Sequence, residues 1–159
     1  MQCSSCHEGT MVAGRVENYD ATSIVGLEDV VLGSAPALVC DRCGHVMFEG
    51  RVVDIITRDL ARLIIQHAEE LRPGEARFLR EVIGMTQAEL AERLRINRAT
   101  VNRWETGDDV VGPVQSLALR TVAAWSLNDP ALAREIGGPV PRPPVKRVAP
   151  PYRLKTVAA

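Results

Sequence analysis

The chain has 159 residues, 46% apolar and 25% charged, which leaves room for one ordinary domain or two small ones. Aromatics are only 4%, so any core is aliphatic, and no stretch approaches the roughly 18 consecutive apolar residues of a membrane span. The net charge of −1 argues for nothing by itself, but the charge is unevenly spread: residues 1–50 hold seven acids and two bases, and residues 139–159 five bases and no acid.

The first segment, "MQCSSCHEGT", lacks the basic and apolar regions of a secretory signal. A cytoplasmic protein with reduced thiols is the expectation. All four cysteines lie here, as Cys3-x-x-Cys6 and Cys40-x-x-Cys43. A two-residue spacer lets both thiolates of a pair face one ion, so two such pairs point to a tetrahedral zinc site. Two disulfides would need an oxidising compartment, and a thioredoxin-like redox pair would need a βαβ pattern that is absent. The expectation is one structural Zn2+ per chain held by Cys3, Cys6, Cys40 and Cys43. His7 and His45 follow the two pairs but are not needed once four thiolates fill the site. Between the pairs, Val-rich runs broken by Gly and Pro predict a small antiparallel sheet.

From Val52 the apolar period lengthens. Val52, Ile56, Leu60, Leu63, Ile64 and Leu71 recur at three- and four-residue spacing, which predicts a connecting helix over residues 51–71, ended by Pro73 and Gly74. Residues 75–83 read as a further helix, interrupted at Gly84. Thr86 and Glu89 form a T-x-x-E capping box for a helix at 87–94. Asn97 caps another at 98–106, which Gly107 ends in a left-handed conformation. Two helices across a three-residue turn are a helix-turn-helix. Ala88, Leu90, Ala91, Leu94, Ile96, Val101 and Trp104 form its inward face, leaving Arg98, Ala99, Thr100, Asn102 and Arg103 outward to meet base edges. Gln87 stands at a helix start, where a phosphate is held. On this reading Glu105 is an acid tolerated where the helix leaves the groove.

Pro113 starts the next helix, in which Val114, Leu117, Leu119, Val122 and Trp125 read as the buried face, with Trp125 in the core or at a dimer contact. Asp129 and Pro130 read as the start of a further helix. The Pro-rich basic tail at 137–159 reads as a disordered or polyproline extension, with contact to nucleic-acid phosphate or an acidic partner as the alternative. The fold class expected is α+β in two small domains: a zinc-bound antiparallel β domain at 1–50, the connecting helix at 51–71, and an all-α DNA-binding and dimerisation domain at 72–136.

"TQAELAERLRINRATVNRWETG" resembles the helix-turn-helix of the Cro/CI, or XRE, repressors. With "CSSCHEGTMVAG", "LVCDRCGHVMFE" and the connecting helix ahead of it, the arrangement is similar to MqsA-type antitoxins with their YgiT-type zinc finger, over residues 1–136. The resemblance implies a homodimer that binds a palindromic double-stranded operator, represses its own operon, and holds a toxin through the zinc domain. That toxin is expected to be a small basic ribonuclease. The same four cysteines match the zinc ligands, and Arg103 matches a base-reading arginine. The family's base-reading asparagine falls on Ala99, so Arg98 or Asn102 takes over. A stand-alone zinc-containing regulator is the alternative. No nucleophile, base and orienting group converge in any motif, so an enzyme is not expected.

Overall fold

In a computed structural model the described residues are 1–67, 70–129, 131–132, 136 and 152–157. They are α+β and divide into two compact units, Met1–Thr57 with Pro150–Ala159, and Arg58–Ala149.

The first unit is built on the hairpin of β1 (Met11–Asp20) and β2 (Val30–Cys40), paired antiparallel from Met11↔Cys40 to Asp20↔Val31. The hairpin connection contains α1 (Thr22–Val25), which stops at Gly26 with φ of 67°. β2 runs unbroken through Gly33 and Pro36, where the Val-rich runs were expected to break. It buries Val30, Leu32, Ala35, Ala37 and Cys40. On its other edge β2 pairs antiparallel with β3 (Val46–Met47).

The sheet departs from the expected all-antiparallel form. β4 (Tyr152–Thr156) pairs parallel with Val30–Ser34 of β2. A segment expected as part of a basic extension thus holds a strand, because its bases alternate with apolar residues. Tyr152 and Leu154 are buried, whereas Arg153 and Lys155 are exposed. Gly33 makes room for it: a Cβ there would meet the backbone oxygens of Leu154 and Lys155 at 3.0 Å. Residues 137–151 and 158–159 of that extension lie outside the described residues, as does Pro130.

α2 (Gly50–His67) runs through the boundary between the units. The second unit continues with α3 (Pro73–Val82), α4 (Gln87–Leu94), α5 (Arg98–Thr106) and α6 (Pro113–Ser126). Proline opens α3 and α6 at the position where no amide partner is needed. Leu79, Leu90, Val101, Trp104 and Leu119 are buried, an aliphatic core around one indole. Two polar ties fix α6. The buried Ser116 hydroxyl accepts from the Leu71 amide at 3.0 Å and donates to the Val111 carbonyl at 3.2 Å. The Arg120 guanidinium donates to the Ile65 carbonyl at 3.2 Å. Among the described residues no helix is long and apolar enough to cross a membrane.

α6 buries only part of the expected face: Leu119 is inside as expected, but Val114, Leu117 and Trp125 are not. Ser116, Leu119, Ala123 and Ala124 are inside, while Val114, Leu117 and Trp125 are exposed and Val122 is half-buried. The helix is apolar nearly all round, and small residues let its other face approach the core closely.

Candidate metal centre and nucleic-acid interface

Both CxxC segments fold into the same turn. His7 N–H donates to the Cys3 carbonyl and Gly44 N–H to the Cys40 carbonyl, each at 3.1 Å. Both residues are left-handed, with φ of 57° and 70°. His7 therefore occupies the place that Gly44 holds in the second turn, a backbone role, and neither histidine joins the cluster. β1 and β2 bring the two turns together, because Met11 pairs with Cys40 at the end of the hairpin.

The four sulfurs lie within 4.8 Å of one another. Cys3 and Cys43 Sγ are 3.7 Å apart, as are Cys6 and Cys40 Sγ. Sulfurs about 2.3 Å from a common centre form a tetrahedron with edges of about 3.8 Å, so the cluster has the dimensions of a four-thiolate metal site. Backbone amides point at the sulfurs: Ser5 to Cys3, Gly9 to Cys6 and Arg42 to Cys40, each at 3.4 Å. Amides of Glu8 and Gly9 draw the Cys6 thiol down to about 6 despite some burial. Those of Cys43 and Arg42 lower Cys40 likewise. The His45 amide also pulls on Cys43, but burial and the other three sulfurs outweigh it and push that thiol up to about 12. Four thiols this close cannot all ionise without a cation among them. Gly9 is required here, since a Cβ would lie 2.4 Å from Cys40 Sγ.

In the second unit the local signals read from sequence are realised. Thr86 Oγ1 accepts from Glu89 N at 3.2 Å while the Glu89 carboxylate accepts from Thr86 N at 2.7 Å. Asn97 Oδ1 accepts from Ala99 N at 2.8 Å. The turn between α4 and α5 passes through Arg95 with φ of 58°, and Gly107 closes α5 with φ of 84°. Leu90, Ala91, Val101 and Trp104 are buried, and Leu94 and Ile96 half-buried. Ala88, expected inward, is exposed because helical spacing puts it about 60° or more away from the stripe of Leu90, Ala91 and Leu94.

Of the candidate DNA-reading residues, Arg98, Ala99, Asn102 and Arg103 are exposed on α5 and Thr100 is half-buried. Arg103 Nε lies 3.9 Å from Asp109 Oδ2, both half-exposed, a loose pair that phosphate or a base edge can displace. Gln87 is tied down. Its Nε2 donates to Glu105 Oε2 at 2.9 Å and to Asn102 Oδ1 at 3.4 Å, linking the start of α4 to the outer face of α5.

Glu105 is therefore not a tolerated surface acid. It takes both nitrogens of a fork from Arg80 of α3, Nε at 2.6 Å and Nη2 at 2.9 Å. The side chains of Glu105 and Arg80 are 5% and 12% exposed. Burial alone would raise the Glu105 pKa, but the Arg80 fork and the Gln87 amide outweigh it and hold the group below its usual value. The same fork raises Arg80. One buried ion pair thus locks three helices and aims Gln87 and Asn102. No local motif announces a partner twenty-five positions away.

Residues 77–113 match a family described as helix-turn-helix, a span that runs from α3 through α5 to the first residue of α6. No curated protein and no solved structure matches the chain.

Proposed function

We propose that this protein is a transcriptional repressor that reads a palindromic operator with α5, carries one structural zinc ion, and serves as the antitoxin of a toxin-antitoxin pair. The observation that supports DNA reading most directly is the capped α4–turn–α5 unit, which carries Arg98, Ala99, Thr100, Asn102 and Arg103 opposite an inner face of Leu90, Ala91, Val101 and Trp104. Arginine gives two parallel hydrogen bonds to guanine O6 and N7, each such pair contributing about 1–3 kcal/mol of discrimination. Gln87, held by Glu105, sits where the open amides of α4 meet a phosphate. The chain would act as a homodimer, since a palindrome presents two half-sites about one helical turn, roughly 34–36 Å, apart.

The sulfur tetrahedron suits Zn2+, whose chemistry here is to cross-link two turns; four thiolates leave no position for a substrate. Arg103→Ala is expected to lower operator preference over a scrambled duplex by about 5–150-fold. Gln87→Ala should weaken both duplexes alike. Gel shifts at fixed salt measure both, and an unchanged preference in Arg103→Ala would remove α5 from the groove.

The toxin reading rests on charge. All seven acids of residues 1–50 are exposed on the first unit. A ribonuclease needs a basic surface for its substrate, so an acidic folded unit attracts it and speeds association. Because β4 belongs to the sheet, a truncated N-terminal fragment would lack a strand. The whole chain carrying Arg103→Ala is the better probe. Co-expressed with the product of the adjacent reading frame, it should still relieve growth arrest while no longer repressing the promoter. Loss of rescue in that variant, with the protein folded and abundant, would separate the acidic unit from neutralisation.

A further inference from the structure

Among the described residues, six large hydrophobic side chains are exposed, and three of them lie on α6: Val114, Leu117 and Trp125, at 73%, 41% and 63%. At 3.6 residues per turn, Val114, Leu117, Ala118, Thr121, Val122 and Trp125 share an arc of about 140° on α6, opposite the buried Leu119 and Ala123. That arc carries no charged residue, since the one charge on α6, Arg120, turns to the Ile65 carbonyl. An uncharged apolar stripe of this kind marks an interaction surface.

We infer that this face of α6 docks a second copy of the same chain, with the two α6 helices antiparallel. The stripe complements itself. An antiparallel twofold centred between Leu119 and Arg120 sets Ala118 against Thr121 of the other copy, Leu117 against Val122, and Val114 against Trp125. Small side chains at the centre let the backbones approach, and the largest residue meets a small one at each end. A recess of about 270 Å3 lined by Arg93, Thr121, Val122, Trp125 and Ser126 lies where the other copy's Val114 would enter. The same pairing carries the acidic turn Asp108–Asp109, just ahead of one α6, toward Arg93 at the rim of that recess on the other copy. Opposite charges thus fix the antiparallel direction. The exposed apolar side chains offer on the order of 400 Å2, about half of what each partner buries in a standard interface, and the central Thr121 with the flanking Gln115 and Ser126 extends it.

The use of this dimer rests on α5 reading DNA, but its existence does not. Sedimentation velocity of the full chain without DNA should give a dimer at tens of micromolar. Leu117→Asp, at an exposed position, should weaken self-association at least about 100-fold while leaving the helical circular dichroism and melting midpoint unchanged. Val114→Lys and Trp125→Glu should each be monomeric, and an equimolar mixture should recover the dimer. In the mixed dimer the new lysine of one variant faces the new glutamate of the other, while at the far end of the twofold the native Trp125 and Val114 still meet. A native chain that stays monomeric, or a dimer indifferent to Leu117→Asp and Trp125→Glu, would overturn the interface. Failure of the mixture to re-form would overturn the antiparallel register. If the chain is dimeric and binds no operator, the DNA reading fails and the α6 interface stands.

Discussion

Chelating the metal is expected to unfold the Met1–Thr57 unit while the helices from α3 to α6 remain folded. The buried cluster at the cysteines is small: Cys3, Met11 and Cys40, with Cys6, Leu38 and Met47 packed against them. Without a cation the four sulfurs become mutually repelling thiolates or thiols stripped of their strongest partner. Structural zinc in small domains contributes about 10–16 kcal/mol of apparent binding free energy, as large as the about 5–15 kcal/mol stability of a typical domain. Cys40→Ser should act in the same direction, since Cys40 Sγ also accepts the Arg42 and Cys43 amides at 3.4 and 3.5 Å. Amide NMR provides the test. Resonances of β1 and β2 should collapse on chelation while those of Leu90 and Val101 keep their dispersion, and metal analysis should return one zinc per chain. A sheet that keeps its dispersion with no metal bound would show that the apolar contacts suffice.

Glu105→Ala is expected to destabilise the helical unit by about 3 kcal/mol, the low end for a broken buried pair, because Arg80 loses its fork but keeps the Met85 carbonyl at 2.8 Å and the Glu81 carboxylate at 3.4 Å. Urea titration should show a lowered midpoint with the slope retained. The pH dependence follows from the lowered pKa of Glu105. The unfolded chain takes up its proton at higher pH than the folded one. The ion pair's stabilisation is therefore fully present above the ordinary carboxylate range and is lost as pH falls through the folded value. Glu105→Ala should flatten that acid limb. An Arg80→Ala, Glu105→Ala double variant should be more stable than the sum of the single losses implies. Equal stability of Glu105→Ala and the native chain at neutral pH would return Glu105 to the status of a surface acid.

The two residues with the largest predicted effects differ in how visible they were beforehand. Cys40 is visible because metal ligation needs a fixed residue type at a fixed short spacing. Glu105 is invisible because its partner lies on another helix, and sequence spacing carries no record of which charges are brought together. The same division holds for the helix pair. Thr86, Glu89, Asn97 and Gly107 mark helix ends through hydrogen bonds and φ values that are settled within four residues.

What the sequence determined by itself is therefore local: two cysteine turns of one shape, the bounds of α4 and α5, and the outward arginines between them. Tertiary structure decided the rest. β4 reaches β2 from more than a hundred residues away, and no local pattern in either segment records that pairing. α6 has apolar residues on nearly every side, so periodicity cannot choose its inner face. Packing chose the side with Ser116, Ala123 and Ala124, because small side chains let the helix come close to a finished core, and it left Val114, Leu117 and Trp125 outside.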